Sequence, residues 1–239
     1  MAFLRTCLDD ADAVACGRCD RCSTPRFTPE VSAPALAAAH TFLGRPGLQV
    51  EPRRMWPTGL KAAGVPLAGR ISLEEQAQPG RAVGRLTDLG WGTRLRTLLA
   101  EDAPDAPASA DLLAAIVEVL KAWATGPDPW QQRPVGVVAM GSTRRSQLIA
   151  SVAEHVSAVG RLPLLGMVKT PPSTVDAGRA NSAHRVRALY GSMSVPTVSG
   201  PVLLIDDFVD SGWTMALAAR ELRLAGASAV LPLALALTS

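Results

Sequence analysis

The stretch Val202-Leu203-Leu204-Ile205-Asp206-Asp207-Phe208-Val209-Asp210-Ser211-Gly212-Trp213-Thr214 decides how this chain is read. Four consecutive large aliphatic residues are too few for a helix and fit a strand buried on both faces. The strand delivers two adjacent carboxylates to its C-terminal end, the edge at which open α/β sheets bind ligands. Asp206 and Asp207 can accept hydrogen bonds from the two hydroxyls of a ribose, directly or through a hydrated Mg2+ ion. The turn that follows enters a helix over 213–224. The N–H groups of Ser211, Gly212, Trp213 and Thr214, with the Ser211 and Thr214 hydroxyls, would surround a phosphate where the helix dipole favours an anion. Gly212 lets the backbone approach closely. Two other readings compete. A Walker B strand also ends in acids, but it needs a G-x-x-x-x-G-K-[ST] partner and the chain has none. A plain strand-to-helix connection, in which Asp and Ser only cap the helix, stays open.

Outward from this stretch, strands and helices alternate. Val135 to Met140 and Leu164 to Val168 are short apolar runs, and Ala229 to Ala236 is a last one. Between them, Ile149, Val152, Ala153, Val156 and Val159 recur with helical period. Upstream, Leu112, Ala115, Ile116, Val119, Leu120 and Trp123 mark an amphipathic helix that Ser109 or Asp111 can cap. Alternation of this kind predicts an α/β fold with a doubly wound, mostly parallel sheet. Residues 169–198 have no clear period and read as a mobile loop over a site. Residues 101–110, with acids, prolines and alanines, read as a flexible joint. The middle is weaker: a helix over 35–43, strand-like pieces over 49–56 and 67–71, and a helix with a turn over 80–99. The expected organisation is a small zinc-binding module over 1–33, a spacer or small mixed subdomain over 34–105, and the parallel-sheet domain over 106–239.

The formal charge of +3 across 239 residues is too small to announce a nucleic-acid binder by itself. Its distribution is more telling: from Arg133 to Gly200 there are eight Lys or Arg and two acids, a positive field suited to an anionic ligand. Arg144 and Arg145, at a helix start, are the candidates to touch that anion, because the Arg fork matches phosphate geometry. His40, His155 and His184 have no partner constellation and read as ordinary histidines. No apolar run reaches the roughly 20 residues of a membrane span, so a soluble, cytoplasmic protein is expected.

All four cysteines, Cys7, Cys16, Cys19 and Cys22, lie within the first 22 residues. Crowding of this kind in an otherwise cysteine-free chain is the opposite of a disulfide scaffold. Thiolates in tight turns can converge on one tetrahedral zinc ion, which lends a coreless segment its fold. Closed coordination by four sulfurs would make the site structural. An iron–sulfur cluster is the alternative.

Two resemblances are carried by these motifs. Phe3-Leu4-Arg5-Thr6-Cys7 followed by Cys16-Gly17-Arg18-Cys19-Asp20-Arg21-Cys22 resembles the zinc module that follows the motor domains of RecQ-family DNA helicases, over about a tenth of the chain. It implies that the chain is the C-terminal accessory part of a DNA helicase of the kind used in DNA repair, with an ATP-hydrolysing motor upstream and DNA as partner. The Asp206-to-Thr214 stretch resembles the phosphoribosyl-pyrophosphate signature of type I phosphoribosyltransferases, matching at both acids and at Asp210-Ser211-Gly212-x-Thr214. Arg144-Arg145-Ser146-Gln147, Lys169-Thr170, Arg179-Ala180-Asn181 and Arg185 resemble the ComF-like branch in their order, so that this likeness spans about 110 residues from Val135 to the end. It implies a sugar-phosphate or nucleotide ligand, Mg2+ with phosphoribosyl pyrophosphate as cofactors, a pyrophosphate turn at Met140 to Arg144, and Asp210 as an acid or base. Trp213 is a bulky occupant for such a phosphate loop, and Gly141-Ser142-Thr143 matches no pyrophosphate loop. DNA contact, if made by this half, would use Arg144, Arg145, Arg179, Arg185 and Arg187.

Overall fold

Residues 2–25, 30–170 and 181–238 are described by the computed structural model. They form two compact units, Met1–Phe42 and Leu43–Ser239. The first contains helix α1 (Ala2–Cys7) and helix α2 (Ala33–Leu43), neither of which buries a residue. None of the described residues of this unit is buried, so something other than apolar burial must hold them together.

In the second unit the chain order is β1 (Leu48–Val50), β2 (Gly80–Arg85), α3 (Trp91–Leu98), α4 (Ala110–Thr125), β3 (Gly136–Met140), α5 (Ser146–Gly160), β4 (Leu164–Val168), α6 (Ser182–Leu189), β5 (Gly200–Val209), α7 (Trp213–Leu224) and β6 (Ala227–Leu237). The six strands make one sheet in the order β1-β2-β6-β5-β3-β4. Every neighbouring pair is parallel except β1 with β2. The expected α/β class and mostly parallel sheet are thus observed, and no described helix is long and apolar enough to cross a membrane.

Strand alternation assigns each side of the sheet its cover. Leu203 and Ile205 of β5 pack with Val137, Leu231 and Leu233 under α4 and α5. Val202 and Leu204 pack with Val138, Val230 and Ala234 against Met215, Ala218 and Leu222 of α7. Burial on both faces explains why β5 reads as an unbroken aliphatic run. Truncating Leu204 to Ala in such a position costs about 2–5 kcal/mol. A third cluster joins Trp56, Leu60, Val65, Leu67 and Ile71 to Val186 of α6 and to Trp213 and Leu217 of α7.

Several sequence expectations change. Of residues 34–105, set apart by pattern as a spacer or small mixed subdomain, those from 43 on supply β1, β2 and α3 to the unit that holds the sheet. The expected helix and turn over 80–99 is strand β2 followed by α3, and the piece over 67–71 is reduced to a single bridge between Met55 and Arg70. The supposed loop over 169–198 contains α6, started by Asn181, whose side chain accepts the His184 N–H. Residues 171–180, including Arg179 and Ala180, lie outside the described residues. The joint over 101–110 is tied down. Asp105 accepts the N–H groups of Gln147 at 2.9 Å and Leu148 at 3.2 Å and the Ser146 hydroxyl at 3.0 Å. Ala108 N–H donates to Ser151 Oγ at 2.8 Å. Asp105 thereby caps α5 from outside, since the residue at the cap itself, Arg145, makes no side-chain capping bond.

Candidate functional site

The sheet order sets where a ligand can sit. From β3 the chain passes through α5 to β4 on one side, whereas β5 lies on the other side of β3. Between the C-terminal ends of β3 and β5 the winding reverses, and there open α/β sheets hold their ligands. The turn over 141–145 and the acids of β5 meet at that point.

Strand β5 continues through both carboxylates to Val209 instead of ending at Ile205. Asp206 is the buried acid of the described core, 8% exposed, and accepts the N–H of Asp207 at 2.9 Å. Burial pushes its carboxyl well above the usual range, and the neighbouring charge of Asp207 adds to the effect. The neutral form of Asp206 is therefore favoured. Asp207 lies part-buried at the crevice, where Arg145 Nη1 donates to its Oδ2 at 3.3 Å and Ser142 Oγ lies 3.4 Å from the same oxygen.

The two arginines expected to touch an anion are treated differently. Arg144 pairs with Glu101 at 3.1 Å, with both side chains more than half exposed, an arrangement worth about 0–1 kcal/mol. Arg145 is inside: its side chain is 19% exposed and that of Asp207 14%. Its Nη2 donates to the Leu99 carbonyl at 2.7 Å, and its N–H to Ser142 Oγ at 3.0 Å. Removing one member of so enclosed a pair costs about 3–5 kcal/mol, because the other charge is left without compensation.

At the start of α7, Gly212 is the cap, with φ at 74°, a left-handed conformation suited to glycine. It offers no side-chain cap, so the first amides of the helix have no intrahelical acceptor. The hydroxyls of Ser211 and Thr214 flank them on partly exposed residues. Trp213 does not fill the loop, as its bulk in the sequence implied. Its indole is buried, stacked on Trp56 with centroids 6.2 Å apart and planes at 21°, so only its backbone belongs to the turn. Arg53 fixes the turn from a distant part of the chain: its Nε donates to the Ser211 carbonyl at 2.8 Å, and its guanidinium lies 4.9 Å from the Trp213 ring. Arg53 carries no sequence signal, since the contact spans 158 positions.

Asp210 is occupied. Arg185 of α6 donates to its Oδ2 at 2.5 Å and the Thr238 hydroxyl to its Oδ1 at 3.1 Å. The Arg185 hydrogen bond in the first place, and the Thr238 hydroxyl after it, hold the carboxyl below the usual range. That environment makes Asp210 an ionised anchor of α6 and a weak base.

The Asp206–Asp207 pair does not suit Mg2+. A hydrated Mg2+ ion takes charged carboxylate oxygens in octahedral geometry. Here one acid favours its neutral form and the other is already paired with a guanidinium.

In the N-terminal unit the Sγ atoms of Cys16, Cys19 and Cys22 all lie within 4.8 Å of one another, and those of Cys19 and Cys22 are 3.4 Å apart. Four sulfurs at about 2.3 Å from a tetrahedral zinc ion would be about 3.8 Å apart, so the three fit one ion. The turn over 19–23 is closed by bonds from the Cys22 and Ser23 N–H groups to the Cys19 carbonyl. The Cys22 thiol, then the Arg21 amide, lower the Cys19 pKa to about 6, and the Arg18 amide foremost lowers that of Cys16. Both shifts favour the thiolate form that binds metal. Cys7, expected as the fourth ligand, is not in this group. It ends α1 as an exposed thiol, with the chain turned at Asp9 (φ 56°) and Asp10 held by Arg5 at 2.5 Å.

No protein-family model matches the chain, and no curated protein matches it. Among solved structures, it is similar to a purine phosphoribosyltransferase from Pyrococcus horikoshii Ot3, over 56% of this chain and 78% of that one. The identity is 16% and the TM-score 0.32. The placement of the site rests on this chain's own strand order and side chains.

Proposed function

We propose that the Leu43–Ser239 unit binds a 5-phosphoribosyl group, its phosphate on the 211–214 turn and its ribose hydroxyls at Asp207. The observation that carries this is the winding reversal between β3 and β5, with the part-buried Asp207 carboxylate near the end of β5 and, where that strand runs into α7, a helix start with no side-chain cap led by left-handed Gly212. Binding is favoured over turnover because Asp210, the candidate acid or base, is engaged by Arg185 and Thr238. Phosphoribosyl pyrophosphate is the fuller ligand of the same class. Its diphosphate would face the 141–144 backbone, since Asp105 already holds the first α5 amides.

The N-terminal unit, in this reading, holds a zinc ion through Cys16, Cys19 and Cys22, with a fourth ligand completing the closed coordination of a structural site. The Cys-Gly-Arg-Cys-Asp-Arg-Cys run and the grouping of its three thiols favour a further assignment, the C-terminal accessory region of a RecQ-like DNA helicase acting in the cytoplasm. DNA would then be a partner, met through exposed Arg144 and Arg187, while Arg145 and Arg185 are engaged in the site.

Calorimetric titration with ribose 5-phosphate and with phosphoribosyl pyrophosphate tests the binding reading, with an Asp206→Asn, Asp207→Asn double variant as control. Saturable heat lost in the double variant is expected. Equal heats in both proteins, or none at millimolar ligand, would remove the sugar-phosphate assignment.

A further inference from the structure

We propose that Arg145 is the built-in counter-cation of the Asp206–Asp207 pair, so that the site takes its sugar phosphate without a divalent metal ion. The proposal rests on the phosphoribosyl reading for the ligand, but its electrostatic part stands on the protein alone.

Arg145 is held in place before any ligand arrives. It leads into α5 at the switch point, its backbone N–H bound to Ser142 Oγ and one guanidinium nitrogen bound to the Leu99 carbonyl. That second bond leaves the other terminal nitrogen on Asp207 Oδ2. Two groups from separate segments, at 99 and 207, therefore fix the guanidinium, and Ser142 fixes the backbone that carries it. Such over-determination is unlike the exposed pair of the adjacent Arg144 with Glu101. A planar fork whose geometry is fixed in advance loses little further freedom when a ligand comes.

The charge balance then disfavours a cation. Asp207 is neutralised by Arg145, and the burial of Asp206 favours its proton-bound form. The pair therefore offers little net negative charge to draw in Mg2+, which also parts reluctantly with its water. A Mg2+ ion at Asp207 would sit beside the guanidinium in a partly buried crevice, where like charges repel more strongly than in water. A ribose meets no such barrier. Its hydroxyls can donate to Asp207 and accept from the Arg145 N–H groups, and its phosphate adds an anion near a resident cation. Arg145 is thus a positioning residue for Asp207.

Titration of the zinc-loaded full chain with Mn2+, followed by electron paramagnetic resonance, reads this directly. Wild type should show no saturable Mn2+ site up to about 1 mM, a range that reaches weak oxygen-ligand sites. Arg145→Gln should gain a Mn2+ site that an added Asp207→Asn change removes, which a merely structural role for Arg145 would not produce. Ribose 5-phosphate should bind wild type within about twofold whether Mg2+ is absent or present, well short of the tenfold that about 1.4 kcal/mol makes. A wild-type Mn2+ site lost in Asp207→Asn overturns the proposal, a test that stands even if Arg145→Gln fails to fold. So does a folded Arg145→Gln variant with no Mn2+ site, or a tenfold gain in sugar-phosphate affinity from Mg2+ in wild type. Absence of ribose 5-phosphate binding in every condition would instead count against the phosphoribosyl reading, and the Mn2+ arms would still decide the role of Arg145.

Discussion

Trp213 and Trp56 stack with ring centroids 6.2 Å apart, and through that contact the segment before β2 grips the turn that begins α7. Trp213 is the first residue of α7 and Trp56 belongs to a segment cross-bridged at Met55 and Arg70. The indole of Trp213 secures the cluster, while its backbone belongs to the turn on which the proposed phosphate would sit.

Trp56→Ala should destabilise the Leu43–Ser239 unit by about 3–5 kcal/mol, the usual loss for a buried Trp truncated to Ala. Urea unfolding measures it. Because the α7 turn loses its support, affinity for ribose 5-phosphate should fall in the same variant under conditions where it is still folded.

A pH effect follows from Asp206, whose folded pKa is raised by burial. A group of this kind lends its full stabilisation below its unfolded value, about 3.9, and loses it as pH rises through the folded value. Asp206→Asn, which keeps an acceptor for the Asp207 N–H, should therefore be more stable than wild type at pH 7. The advantage should vanish below about pH 3.9. Denaturant midpoints at the two pH values check this, and a variant less stable at pH 7 would contradict it.

Asp105 behaves with the opposite sign. The Gln147 amide leads the groups that hold its carboxyl below the usual range, so its contribution is present above the unfolded pKa and fades as pH falls through the folded one. Asp105→Ala should lower the melting temperature at pH 7, with the difference from wild type shrinking in acid. Thermal melts followed by circular dichroism would show it.

Much of the sheet was legible because its central strands are buried on both faces. Strand β4 over 164–168 and the α7 helix over 213–224 appear with the bounds their patterns imply. Strand β2 did not read as one because Gly80-Arg81-Ala82-Val83-Gly84-Arg85 has a single β-branched residue and two glycines. The glycines reflect close approach: a Cβ on Gly80 would lie 2.5 Å from the Pro232 carbonyl oxygen, and one on Gly84 3.0 Å from Trp91 Cβ. Helix α6 was hidden because Val186 is its one buried residue, too little for a period. In the site, the acids and Gly212 could be named from local chemistry. The partners that set their state, Arg53, Leu99, Arg185 and Thr238, come from tertiary contacts with no local pattern.

Metal content separates the cysteines. Purified wild type should carry one zinc ion per chain by elemental analysis, Cys19→Ser should lose it, and Cys7→Ser should retain it. Chelation should unfold the Met1–Phe42 unit, which has no buried helical residue, while leaving the far-UV signal of the sheet unit in place. Loss of zinc in Cys7→Ser would show that α1 closes onto the other three thiols when metal binds.

The most direct test of the phosphate site is the amide spectrum of the isotopically labelled protein during addition of ribose 5-phosphate. Saturable shifts centred on the N–H signals of Gly212, Trp213 and Thr214, absent in Asp206→Asn, Asp207→Asn, are the predicted result. Shifts confined to exposed arginine-bearing segments such as Arg144 and Arg187, with the α7 turn unmoved, would contradict the account and mark the ligand as a loosely held anion.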